Sequence, residues 1–179
     1  MNNKMEPHQY IEIDRIKKIT SHEYAIIMKL IRSNIIPKLK IRPNYPQYLS
    51  NIKNYRYVYE FVELDSEYYT LSDFVHKKNY KLISEIRRLK EHIETLILSM
   101  HQSGIFHGNL IPENIIIDIE ITQPKLINFE DGRFICFFDK LDLEYYSKKF
   151  FKTFSSVDEL LEYEYRHWFD LLLDGFLLE

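Results

Sequence analysis

At 179 residues, with 45% hydrophobic and 28% charged side chains, the chain has the ordinary balance of one globular domain with a sizeable core. Its net charge of −3 and the lack of a basic block argue against a nucleic-acid or anionic-membrane role, and no apolar run has signal-peptide or membrane-spanning length. With Cys136 as its single cysteine, it can form no internal disulfide; this suits a reducing compartment, so a cytoplasmic protein is expected.

Taken in chain order, Thr20 and Glu23 form a T-x-x-E capping box ahead of Tyr24, Ile27, Met28, Leu30 and Ile31, which predicts a helix over about 21–34. The basic patch Lys38-Leu39-Lys40-Ile41-Arg42 reads as a solvated loop. Residues 55–63 are aromatic and β-branched, as a strand requires, and Thr70 with Asp73 marks another helix start. Leu82, Ile83, Ile86, Leu89, Ile93, Leu96, Ile97 and Met100 recur at three- and four-residue steps, predicting a long amphipathic helix that Gly104 stops. Ile115 to Ile117 and Lys125 to Ile127 flank Thr122-Gln123-Pro124, a strand, turn and strand that would bring Asn114 and Asn128 to a common cleft. Two more helices are expected over 141–154 and 157–173.

Between them lies an aromatic tract, Phe134, Phe137, Phe138, Tyr145, Tyr146, Phe150 and Phe151, expected mainly to pack the core, with part of it free to form an interaction face. Cys136, set among these phenylalanines, is expected to be a buried thiol. His22, His76, His92, His101 and His167 show no metal-ligand spacing and read as scattered structural or surface residues.

The densest pattern is His107-Gly108-Asn109, four residues, Asn114, a hydrophobic strand, and then Asn128-Phe129-Glu130. It resembles the catalytic core of the protein kinases, with HGN in place of HRD or HGD and NFE in place of DFG. The helix over 21–34 is similar to the regulatory helix of the kinase N-lobe, and the strand before Thr70 to the hinge. The resemblance implies an α+β fold, a reduced kinase-like domain spanning 1–179 with a remnant N-lobe over about 1–63 and a shortened, mainly helical C-lobe over 64–179. It covers roughly residues 20–150 and is strongest at 96–130. Elsewhere the chain departs from the family. No glycine precedes Gly104, so the glycine-rich phosphate lid is missing; Lys17 and Lys18 lie too close to Glu23 to act as the strand lysine of a lysine–glutamate pair; and no A-P-E segment follows. Glu23 reads as a helix cap and the two lysines as solvated.

In that family the loop aspartate orients or deprotonates the substrate hydroxyl, and the second aspartate holds magnesium against the nucleotide phosphates. An asparagine at 109 cannot serve as a base, and an asparagine at 128 offers magnesium only a neutral oxygen beside Asn114. His107 is implied to be structural. The resemblance therefore implies a catalytically inactive pseudokinase, with ATP and magnesium binding weak or absent, acting as a decoy, scaffold or allosteric regulator of a protein partner such as a kinase or a kinase substrate. The alternative is a weakly active Ser/Thr kinase or ATP-binding protein in which Glu130 or Asp131 supplies the metal ligand; the plainer reading of both acids is that they cap a turn before Gly132. A third reading is a non-kinase α+β protein with a chance match. Abundant Ile, Asn, Lys and Tyr with four glycines suggest an AT-rich genome, so a viral or parasite source, with the host cytoplasm as the setting if viral, completes the expectation.

Overall fold

Helical periodicity dominates the middle of the chain. In the computed structural model, which describes residues 21–37, 40–43, 59–62, 68–73, 83–118 and 123–177, the helix α2 runs Ile83–Gln102. Its buried side chains, Leu89, Ile93, Ile97 and Met100, fall at four-, four- and three-residue steps, while Arg88, Glu91, His92 and Thr95 face solvent. The helix ends where Ser103 N donates to Ser99 O and Gly104 N to His101 O, and Gly104 takes the left-handed φ of 76°.

The preceding helix α1, Ser21–Leu30, stops short of the expected 34 because Ser33 takes up the Leu30 carbonyl with both its backbone N and its hydroxyl, offering the backbone a partner outside the helix. Glu23 sits in the first turn, as a cap would, but its side chain is buried; Thr20 lies outside the described residues, as do Lys17, Lys18 and His76. Ile26, Ile27 and Leu30 of α1 join the main core.

Strands β1 (Lys40–Pro43) and β2 (Tyr59–Val62) pair antiparallel, Lys40 opposite Val62. The basic patch is thus a strand over 40–42, not the expected loop: the aromatic, β-branched segment that gives it a ladder partner lies some twenty residues on. Residues 55–58 of the expected strand fall outside the description. A three-stranded antiparallel sheet follows in the order β3-β5-β6, from β3 (Tyr68–Thr70), β5 (Ile115–Asp118) and β6 (Pro124–Leu126). In the middle strand, Ile115, Ile116 and Ile117 are all buried. Pro124 belongs to β6 rather than to the connection, which is tolerated on this outer strand. Thr70 and Asp73 exchange hydrogen bonds as a helix start does, Asp73 N donating to Thr70 Oγ1 at 3.1 Å. Strand β4 (Ile105–Phe106) pairs with β7 (Arg133–Phe134), closing the segment between them into a loop-rich unit over α2.

Helix α3, Lys140–Lys149, begins at a capping box of Asp139 and Asp142 and ends before the expected 154; α4, Val157–Leu177, runs past the expected 173. Its face Leu160, Glu164, Trp168 is buried at four-residue steps. Phe106, Tyr146, Phe154 and Leu160 form a second, aromatic-rich core beneath α3. No helix among the described residues is long and apolar enough to cross a membrane.

Candidate functional site

β4 delivers the chain to His107, whose side chain is fully buried against Phe129, ring centroids 4.6 Å apart. Burial holds the imidazole below its ordinary pKa despite the nearby Glu164 charge, so the neutral ring prevails. Its Nε2 faces the Ile127 carbonyl at 2.9 Å, which can only accept; the proton therefore sits on Nε2, and Nδ1 has no partner among the described atoms. His107 thus ties its loop to the strand end before Asn128.

Gly108 is at a position only glycine fills. Its φ is 77°, and a Cβ there would lie 2.3 Å from the Asp131 carbonyl oxygen. The two loops, 107–109 and 128–131, are consequently in backbone contact. Beneath them the buried Glu164 carboxylate of α4 accepts from His107 N at 3.1 Å, from Gly108 N at 2.7 Å and from His101 Nε2 at 2.9 Å. A single carboxylate therefore satisfies the loop amides, and charge-assisted bonds of this kind are stronger than neutral ones.

Asn114 ends the short 3-10 turn Pro112–Asn114 and is buried. Its Nδ2 donates to the Asn109 carbonyl at 2.8 Å, and its Oδ1 accepts from Asn128 Nδ2 at 3.3 Å. Asn128 has φ 65°, a left-handed conformation that asparagine adopts more readily than most residues. Next to it, Phe129 to Gly132 form a turn closed by Gly132 N donating to Phe129 O. Glu130 is exposed on that turn, and Asp131 is half-buried. The Lys149 ammonium of α3 bridges the two loops: it lies 2.7 Å from Asp131 Oδ2 and 2.8 Å from the Gly108 carbonyl. Tyr146 OH donates to the Asp131 carbonyl at 2.7 Å, and burial raises its pKa above the ordinary phenol value. From the opposite side, His22 Nε2 of α1 donates to the Gly132 carbonyl at 2.8 Å.

No protein-family profile matches the chain. It is 27% identical over 143 residues to a probable inactive serine/threonine-protein kinase of Dictyostelium discoideum, covering 68% of this chain and 25% of that protein. To calcium-dependent protein kinase 4 of Plasmodium falciparum it is 27% identical over 129 residues, 64% of this chain and 24% of that one, and to its Plasmodium berghei counterpart 26% over 129 residues. The chain is thus distantly similar to parts of protein kinases. It spans about a quarter of the length of these curated relatives, and its mixed helix and sheet architecture is compatible with a reduced kinase-like fold.

The sequence-predicted residues His107, Asn109, Asn114, Asn128 and Asp131 come together in one hydrogen-bonded unit, Asn109 through its backbone carbonyl. Glu130 stands on the neighbouring turn. Sequence spacing brings none of Glu164, Lys149, Tyr146, His22 and His101 to this unit, of which Glu164 and Lys149 make the most bonds to it. Glu164 carried a signal: an acid between Leu160 and Trp168 on an otherwise apolar helix stripe. Lys149 carried none, being one of two adjacent lysines at a helix end where cations are ordinary. The expected burial of Cys136 is corrected: it is exposed on the 3-10 turn Ile135–Phe137, whose neighbours Phe134, Ile135 and Phe138 take the inward positions. Among the described residues no group of three or more His, Cys, Asp or Glu side chains could hold a metal ion.

Proposed function

We propose that this chain is a catalytically inactive kinase-like domain that works through protein contacts, as decoy, scaffold or allosteric regulator, with a kinase or kinase substrate as the class of partner and the cytoplasm as its setting. The observation that carries the reading is the Asn128 to Asn114 hydrogen bond. In the resembled family these two positions give oxygens to a magnesium ion; here one amide donates to the other, and both side chains are neutral. The adjacent Asp131 charge is answered by Lys149 rather than left facing a cation. The donor set therefore does not fit a divalent ion, and we derive no catalytic step through one. Asn109 adds no base, because an amide does not exchange a proton near neutral pH.

Weak kinase homology supports the same reading, one relative being named a probable inactive kinase. The other relatives are named protein kinases, and Glu130 is exposed beside Asn128, so a weakly active kinase is the second reading. A phosphotransfer assay with radiolabelled ATP, magnesium or manganese and a generic protein substrate separates the two. No incorporation above a no-protein control is expected. Incorporation that disappears in Glu130→Ala would replace the proposal with the second reading.

A further inference from the structure

Helix α3 ends on two adjacent lysines that diverge: Lys148 is exposed, whereas Lys149 reaches across to the 107–109 and 128–131 loops. A lysine in the last turn of a helix ordinarily serves that helix's own carbonyls or stays in water. The Lys149 ammonium instead takes one oxygen from each loop, Asp131 Oδ2 at 2.7 Å and the Gly108 carbonyl at 2.8 Å, and lies 5.8 Å from the Phe150 ring centroid. Tyr146, three residues earlier and so on the same face of α3, donates its hydroxyl to the Asp131 carbonyl at 2.7 Å. One helical turn thus holds residue 131 by both its main chain and its carboxylate.

A carboxylate and a main-chain carbonyl converging on one positive charge are the kind of oxygen donors that hard cations such as magnesium, calcium and manganese select. Here the positive charge is tethered to the chain. Glu164, the carboxylate beneath the loops, is engaged by the His107 and Gly108 amides and by His101, and Asn114 by Asn128. Asp131 and the Gly108 carbonyl are therefore the oxygens through which a cation joins the two loops, and the chain supplies that cation itself. The Lys149 and Asp131 side chains are 23% and 34% exposed, so a small ion from solvent can reach the same place once the ammonium is gone.

We infer that Lys149 is a built-in counter-cation: it joins the two loops without any bound ion and, in doing so, keeps a divalent cation from Asp131. Removing the ammonium therefore creates a weak cation site of one carboxylate and one carbonyl, with water completing the coordination and a dissociation constant on the order of 1 mM. The inference rests on the reading of the cleft as inactive, yet the two fail separately. Phosphotransfer by the wild type would sink that reading, whereas the response of Lys149 variants to manganese decides this one.

The test uses the full chain, with manganese as the probe. The electron paramagnetic resonance signal of the free ion measures how much is bound, and thermal unfolding is followed in manganese chloride and in sodium chloride of equal ionic strength. Lys149→Met is expected to bind about one more manganese ion than the wild type, at roughly 1 mM. It should melt about 2–4 °C lower in sodium chloride and regain at least about half of that loss in about 10 mM manganese. Lys149→Arg, which keeps the charge, should behave as the wild type, and Lys149→Met/Asp131→Asn should show neither the extra ion nor the recovery. The inference is overturned if Lys149→Met binds no more manganese than the wild type, if the extra ion persists in the double variant, or if manganese raises the wild-type melting temperature as much as that of Lys149→Met. Should Lys149→Met not fold, Lys149→Gln, which can still donate to the Gly108 carbonyl, carries the same comparison.

Discussion

Residues 107–131 and residues 137–152 touch at Tyr146 and Lys149, yet they treat their chemistry-bearing side chains in opposite ways. In the first region polar groups turn inward: His107 to the Ile127 carbonyl, Asn128 to Asn114, and the loop amides to Glu164. In the second, large apolar side chains turn outward, Phe151 most of all. In the first region the Asn114 and Asn128 amides and the loop N–H groups are held by their own neighbours, whereas in the second the outward apolar side chains have no such cover. The proposal of an inactive domain that works through protein contacts rests on that contrast.

The deepest cut into the first region is Glu164→Ala. It leaves the His107 and Gly108 amides and His101 without their shared acceptor, and losses of about 3–5 kcal/mol are typical when one side of a buried charged network is removed. Urea unfolding should show this as a large fall in midpoint, or as failure to fold, while Glu164→Gln, which keeps one acceptor oxygen, should lose about half as much. Gly108→Ala comes next. A Cβ 2.3 Å from the Asp131 oxygen, on a left-handed backbone, should cost about 2–4 kcal/mol by the same measurement.

These two residues also mark what the sequence made legible. Gly108 and the three asparagines lie within one short motif, and the hairpin that joins Asn114 to Asn128 is local, so spacing alone brought them together. Helix α2 was readable because its apolar residues repeat over five turns. Glu164 reaches the same loop from more than fifty residues away, and one acid on an apolar stripe does not name its partner. The strand at Lys40–Pro43 was hidden for a like reason: its partner is distant, and charged residues favour strand only when a ladder exists for them. Cys136 departs from its expected burial because apolar neighbours imply burial in a strand or helix, whereas the 3-10 turn sends Cys136 and Phe137 outward.

Smaller effects sharpen the comparison further. Lys149→Met removes the ion pair to Asp131 and the bond to the Gly108 carbonyl; with both partners partly exposed the loss should be about 1 kcal/mol, and salt should reduce it. His107 gives a pH signature. Its folded pKa lies below 6.5, so below that value the unfolded chain takes up the proton more readily, and stability should fall as pH drops from about 6.5 until the folded-state pKa is passed. Thermal unfolding across pH 4.5–8 should show that dependence, reduced in His107→Gln. Smallest of all is the expected gain from Asn109→Asp with Asn128→Asp: no measurable phosphotransfer, since no glycine in this sequence precedes Gly104 to cover the nucleotide phosphates.

Calorimetric titration of the purified chain with ATP, run once with magnesium and once with EDTA, tests the central claim most directly. Neither titration is expected to give binding heat, because the amides and Asp131 already hold one another and Lys149. Binding that appears or tightens with magnesium would contradict this, and would return the chemistry to the cleft.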